Sequence, residues 1–170
     1  MIRKANIDDA LLLSKISIES FLPAHGHSAS KEIIDEYISL NFSENNLKKE
    51  LEEPNNHFFL LFHHSSLAGY SKIVLNHSES SLEVKDAAYM SRLYLLKEYY
   101  DLGLGKKLFH QAVAFCKSQQ QKSIWLKVWV ENHKAIAFYH KMGFQQIDLS
   151  DFRLSETHSN PNYILSLDLK

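Results

Sequence analysis

Two segments of this chain hold residues whose types and order suit binding a phosphate-bearing ligand and moving a proton beside it. The first is Tyr100-Asp101-Leu102-Gly103-Leu104-Gly105-Lys106-Lys107, a glycine-bearing turn that opens a helix. A helix N-terminus presents free backbone N–H groups and about half a positive charge. Gly103 and Gly105 remove side chains where those groups must approach an anion, so a pyrophosphate can rest on the turn, and Lys106 and Lys107 add charge. Taken alone, this segment reads equally well as a tight strand-to-helix turn. A dinucleotide fingerprint would need glycine at position 108, where Leu108 stands, and no P-loop spacing is present.

The second segment runs from Glu131 to Phe144. Asn132 stands where a strand gives way to a helix, where its amide can cap the helix and also bond a ligand's peptide-like groups. Ala135 and Ala137 are small enough to leave room for a ligand chain. Tyr139 carries a phenol suited to returning a proton to a departing thiolate, and a buried helix aromatic bonded to a carbonyl would show the same letter. Gly143 ends the helix.

Periodicity supplies the elements that must position these residues. Ile2 to Ala5 reads as a strand and Asp8 to Leu22 as a helix with Leu11, Leu12, Ile16 and Phe21 inward and Pro23 past its end. Lys31 to Leu40 is a second helix capped by Ser30, and Glu44 to Glu52 adds a turn or two. His57 to His63 is continuously apolar, as in a strand covered on both faces, and Leu67 to Leu75 is its hairpin partner. Ala87 to Leu95 is a strand, reached through an exposed loop at 76–81. Gly103 to Gln120 is an amphipathic helix burying Leu104, Leu108, Ala112, Phe115 and Cys116. A strand (Ser123 to Val130), a helix (Lys134 to Met142) and two strands (Phe144 to Leu149, Tyr163 to Leu169) complete the chain. The order predicts an α/β protein with a mixed sheet whose parallel pair flanks the Gly103 helix.

Composition narrows the classes. A chain of 170 residues fits one domain, 1–170, and its net charge of -1 offers no footprint for nucleic acid or an anionic membrane. No apolar run approaches the roughly 20 residues of a spanning helix, and no leader-like segment opens the chain. A single cysteine, Cys116, fits a reducing cytoplasm and is expected in the core. The pairs His25/His27 and His63/His64 lack zinc-ligand spacing, so no metal is expected. Trp125 and Trp129 share a strand face and read as packing, with Trp125 at the cleft the lesser option.

Together the two segments resemble the GNAT superfamily of acetyl-CoA-dependent N-acetyltransferases. Its pyrophosphate motif, Q/R-x-x-G-x-G/A, corresponds to Tyr100 through Gly105. Its later signature, N-x-x-A-x-x-F-Y-x-x-x-G-F, is met by Asn132, Ala135, Phe138, Tyr139, Gly143 and Phe144. More narrowly, segments 17–21, 67–70, 124–129 and 135–139 resemble the bacterial PaiA-type spermidine/spermine acetyltransferases. The resemblance implies a GNAT fold with a mixed sheet of about seven strands and flanking helices, acetyl-CoA as co-substrate and direct attack by an amine. It implies that backbone groups of Leu93, Tyr94 and Leu95 pair with the acyl-pantetheine, with Leu93 as oxyanion donor. It places the pyrophosphate on Tyr100, Asp101, Leu102, Gly103, Leu104, Gly105 and Lys106. Asn132, Ala135 and Phe138 would line the pantetheine path, Tyr139 would be general acid, and Lys141 would reach the nucleotide.

Two departures stand out. Tyr100 replaces the family's Gln or Arg, and Ser91 stands where polyamine-type relatives carry Glu. The general base therefore stays open among Glu83, Glu19, His25 and an ordered water. For the acceptor, a small-molecule amine with polyamines first, Glu19, Phe21, Tyr89 and Ser91 are the candidate contacts, and Tyr163 is a second aromatic for an ammonium chain. Other amines (an amino acid, an aminoglycoside, a protein N-terminus), or a non-catalytic acetyl-CoA-binding regulator, are the alternatives. Either a monomer or a homodimer is compatible with the sequence.

Overall fold

The computed structural model describes residues 1–82 and 84–170. Its strands are β1 (Ile2–Lys4), β2 (Asn56–His63), β3 (Ser66–Val74), β4 (Ala87–Leu95), β5 (Ser123–Trp129), β6 (Gln145–Arg153) and β7 (Ser159–Asp168). Its helices are α1 (Ala10–His25), α2 (Lys31–Phe42), α3 (Glu44–Glu52), α4 (Leu104–Ser118) and α5 (His133–Lys141). The strands form one mixed sheet in the order β1-β2-β3-β4-β5-β7-β6.

Strand β2 is continuously apolar because both its faces are covered. Phe58 and Leu60 pack in one cluster with Leu13, Ile16, Ile34 and Leu47 of α1, α2 and α3. Phe59 and Leu61 pack on the other face against Leu104 and Leu108 of α4. The β2–β3 hairpin closes through His64 and Ser65, both with positive φ (45° and 69°), the backbone that two-residue hairpin turns demand. Cys116 is fully buried on α4 among Ile73, Ile124 and Leu126, and burial pushes its thiol up to about 12.

Between β4 and β5 the sheet comes apart. Ala87, Ala88 and Tyr89 pair in parallel with Ser123, Ile124 and Trp125, and there the ladder stops. Beyond it β4 stays paired with β3 out to Leu95, while β5 stays paired with β7 out to Trp129. The two strands diverge, leaving an unpaired β4 edge. A bulge marks the point of departure: Lys72 faces Arg92 but Ile73 faces Met90, so Ser91 is an extra residue on β4.

Lys72 and Arg92 are cross-strand neighbours on one face, an unfavourable placement for like charges. Glu50 of α3 resolves it. Its carboxylate accepts from both terminal guanidinium nitrogens of Arg92, each at 2.9 Å, and from Lys72 Nζ at 3.0 Å. The Arg92 guanidinium also lies 5.1 Å from the Phe42 ring centroid, so the cluster ties α2 and α3 to the middle of the sheet. Burial alone would raise the Glu50 carboxyl, but Arg92 and Lys72 outweigh it and hold it below the ordinary range.

Several sequence expectations need correction. Helix α1 runs through Pro23 to His25 instead of ending at Leu22, with Gly26 N–H donating to Leu22 O at 2.8 Å. A proline in a last turn forfeits one ladder bond without stopping the helix. Leu11 is 49% exposed, and Leu13 fills the core position expected of it. The final two strands begin or end beyond the apolar pattern: β6 lies at the sheet edge and is mostly exposed, and β7, between β5 and β6, starts at Ser159 with polar Asn160 and Asn162 in its buried positions.

Replacing Glu50 with Ala leaves two buried cations unpaired and is expected to destabilise the protein by about 3 to 5 kcal/mol. Urea denaturation at pH 7 measures this; a loss below about 1 kcal/mol, the level of an exposed pair, would show that the cluster does not anchor α3.

Candidate active site

The divergence of β4 from β5 opens a cavity of about 910 Å³. One end is built from the glycine turn and α5. Asp101 and Gly103 adopt left-handed backbone (φ 61° and 72°), and Gly103, the N-cap of α4, has no side-chain capping bond. The first N–H groups of α4 are thereby left for a ligand, with Lys107 N–H bonded back to Gly103 O at 3.2 Å. A Cβ on Gly105 would sit 3.5 Å from Leu95 and 3.8 Å from Phe138, so the glycine keeps the space between turn, β4 and α5 open.

Across the gap, Asn132 caps α5 by accepting from Ala135 N–H at 3.2 Å, which uses its oxygen and leaves its NH2 group for the cavity that it lines. Ala135, Phe138, Tyr139 and Lys141 line the same wall. Tyr139 is 9% exposed, and burial, reinforced by Tyr89, raises its phenol well above the ordinary value. It stays protonated, a donor throughout the neutral range.

The β4 edge supplies backbone groups. Leu96 N–H donates to Ala68 O at 2.9 Å, so strand alternation directs the N–H of Tyr94 toward β3 and those of Leu93 and Leu95 toward the gap. The Tyr94 side chain turns into the cavity, with its hydroxyl 3.3 Å from His25 Nε2.

The far end is aromatic and cationic. Phe21, Tyr37, Tyr89, Trp129 and Phe152 line it together with His25, Lys72, Ser91, Arg92 and Lys127. Tyr89 stacks on Trp125 at 4.1 Å, and burial followed by Tyr37 pushes its phenol up to about 12. Trp125 itself packs in the core with Nε1 donating to His77 O at 2.6 Å, so Trp129 is the tryptophan at the cleft.

Among the predicted contacts, Phe21, Tyr89 and Ser91 meet at this end. Glu19 does not. It is exposed on α1, two residues and hence about 200° around the helix from Phe21, on the side away from the cavity. Leu102 is 54% exposed and stands apart from the lining; Tyr163 packs among core residues. Glu83 lies outside the described residues. Of the side chains weighed as base, His25 is the one at the cavity, and burial, then His27, lowers its imidazole to about 4.

Other residues at the site were missed in the sequence. Lys72 is a lone charge within the apolar run from Leu67 to Leu75, which was the available signal. Lys134 lies 4.5 Å over the Tyr100 ring centroid and 3.4 Å from Asp101, placing a cation where the turn lacks Gln or Arg. Tyr37, Asn160 and Asn162 also line the cavity, and nothing in their spacing pointed there.

Residues 16–144 match the acetyltransferase (GNAT) family. The chain belongs to this family. It is an acetyl-CoA-dependent N-acetyltransferase by that membership, and the glycine turn, open β4 edge and α5 wall fit its acyl donor. Spermidine N(1)-acetyltransferase of Thermoplasma acidophilum is 28% identical over 165 residues, 94% of this chain and 98% of the relative. The fold matches the crystal structure of the PaiA N-acetyltransferase from Thermoplasma acidophilum in complex with coenzyme A, with a TM-score of 0.78, 24% identity and coverage of 99% and 98% of the two chains. It also matches the ribosomal-protein-S18-alanine N-acetyltransferase of Escherichia coli (TM-score 0.72, 17% identity, 99% and 93% covered). No helix among the described residues is long and apolar enough to cross a membrane.

His25 is neutral when folded, whereas an unfolded imidazole takes up a proton below about pH 6.5. Unfolding therefore gains protons as pH falls, so this contribution to stability is complete above about 6.5 and declines toward about 4. The ring is half-buried and open to the cavity, so the loss expected is about 1 to 2 kcal/mol after solvent screening. Urea denaturation of wild type and His25→Gln at pH 4.5, 5.5 and 7 tests it; parallel pH profiles for the two proteins would refute the assignment.

Proposed function

We propose that the protein transfers the acetyl group of acetyl-CoA directly to the unprotonated amine of a small acceptor held at the aromatic end of the cavity. The observation that carries this reading is the early end of the β4–β5 ladder. It exposes the Leu93 and Leu95 N–H groups opposite the buried, protonated Tyr139. An acyl-pantetheine chain would add to the open β4 edge as a short strand. The Leu93 N–H would stabilise the oxyanion of the tetrahedral intermediate, and Tyr139 would protonate the leaving thiolate. The α4 N-terminus, Lys106 and Lys134 would neutralise the pyrophosphate, with Lys134 supplying the charge that Tyr100 does not, while Lys141 would face the nucleotide. Neutral His25, alone or through water, is the proposed route for the amine proton.

A polyamine acceptor draws support from the relationship to the Thermoplasma spermidine N(1)-acetyltransferase. The cavity adds aromatic faces of the kind that attract ammonium groups. It adds no carboxylate at the acceptor end among the described lining residues, and Ser91 does not restore one.

Thiol release from acetyl-CoA against an amine panel at pH 7 to 9 tests the reaction. Tyr139→Phe is expected to lower kcat by about 10² to 10⁴ with little change in the KM for acetyl-CoA. Activity within a few-fold of wild type would remove Tyr139 as the acid. Lys134→Ala is expected to raise the KM for acetyl-CoA several-fold, in keeping with the loss of a charge-assisted phosphate contact, and to leave kcat at saturation near its original value.

A further inference from the structure

In the cation cluster at the acceptor end, two buried cations bond one carboxylate among the described residues. Lys72 and Arg92 share a single carboxylate, Glu50, which lies behind the cavity wall. That carboxylate is fully engaged: Oε2 accepts from Lys72 and Arg92, while Oε1 accepts from Arg92 and from Asn46 Nδ2 at 3.1 Å. An ammonium has three donors. Lys72 spends one on Glu50, and the others have no partner among the described residues.

Among the described residues, the cavity wall supplies no second anion at this end. Burial and the neighbouring Arg92 lower the Lys72 ammonium despite the bonded Glu50 and the weaker, unbonded influence of exposed Glu53. The carboxylates that line the cavity, Asp101 and Glu131, belong to the glycine turn and to the approach to α5. Lys127 adds a further cation to the acceptor end, bonded to Ser150 Oγ at 2.9 Å, with Glu79 facing it from outside the lining. At the bulge, the buried Ser91 Oγ has no partner, although it belongs to the cavity wall beside Arg92. A buried cation pair with one bonded counter-ion and a buried hydroxyl with no partner among the described residues are costly unless a ligand completes them.

We propose that the acceptor is an amine that also carries a carboxylate, an amino acid rather than a polycation. Its carboxylate completes the Lys72–Arg92 cluster and takes a hydrogen bond from Ser91 Oγ. The inference rests on the reading that this end of the cavity seats the acceptor. The carboxylate is the second anion the cluster lacks, and it accepts from the unspent Lys72 donors. The walls of Phe21, Tyr37 and Trp129 favour an apolar or aromatic side chain. A polyamine would instead bring two or more further ammonium groups against Lys72 and Lys127. The faces of Phe42 and Phe58, which would otherwise draw an ammonium, already lie beside Arg92 and Lys72.

The test compares L-phenylalanine, L-methionine and L-lysine, each with its carboxamide, and spermidine as the polycation. The amide has the more readily deprotonated amine, so intrinsic reactivity favours it and only binding of the carboxylate can reverse the order. In wild type, kcat/KM for the preferred amino acid is expected to exceed that of its amide by at least about tenfold, a typical worth for a charge-assisted contact. Lys72→Met should bring the ratio to about one or below, the expectation for an interaction removed outright. Lys127→Met, at a more exposed position, should reduce the ratio in part and serves if Lys72→Met does not fold. Calorimetric binding of N-acetyl-L-phenylalanine and its amide to the CoA-loaded protein reads the same preference without turnover. If no amine is acetylated, the reaction proposed above fails while this binding ratio still decides the present inference. Preference for spermidine, equal binding of acid and amide, or a ratio unchanged in both variants overturns it.

Discussion

The structure depends on a parallel ladder that stops after Tyr89 and Trp125. Had β4 and β5 stayed paired to their ends, the sheet would be continuous and there would be neither a cavity nor an open backbone edge. Each strand can diverge because its other side is secured, β4 by β3 and β5 by β7. The bulge at Ser91 gives β4 the local twist to leave. Backbone groups that a closed sheet would satisfy internally are thus kept for a ligand, which makes the site a property of the topology before any side chain is considered.

Charge divides the cavity into unlike ends. At the glycine turn the positive terms are the α4 N-terminus and exposed lysines, held near solvent and suited to a mobile, highly charged phosphate chain. At the other end the positive terms are buried and bonded in place by Glu50, with aromatic rings packed against them. Such a cluster is held by bonds on several sides, so its charge is fixed in place. Glu50 does two things at once: it holds α3 on the sheet, and by bonding two cations with one carboxylate it leaves that wall of the cavity cationic.

The parts of the fold written in local pattern were legible in the sequence. The two-faced burial of β2, the inward face of α4 and the limits of β4 and α3 follow from apolar runs and caps that neighbouring residues already specify. The glycine turn and the Asn132–Phe144 segment were legible because their chemistry is local too. What was not legible depends on tertiary juxtaposition. Glu50 looks like any charge on a solvated helix face until α3 docks over Lys72 and Arg92. The family resemblance of segment 17–21 places Glu19 at the cleft, yet helical geometry turns it away from Phe21, which does line the cavity. Lys134 reads as a first-turn lysine until the turn brings Tyr100 beneath it. The extent of β6 was obscured because an exposed edge strand lacks the alternation that marks a half-buried one, and the start of β7 because its buried positions there are Asn160 and Asn162 rather than apolar residues.

The depth of Cys116 has a redox consequence. Every turnover of this enzyme releases a free thiol, and a protein thiolate nearby would invite mixed disulfides with it whenever conditions turn oxidising. Cys116 is the chain's only cysteine, it is fully buried on the inward face of α4, and its thiol is pushed up to about 12. At pH 8 the thiolate fraction is then on the order of 10⁻⁴, and exchange needs both thiolate and access. A buried, protonated thiol offers the released coenzyme neither the thiolate nor the access that disulfide exchange requires.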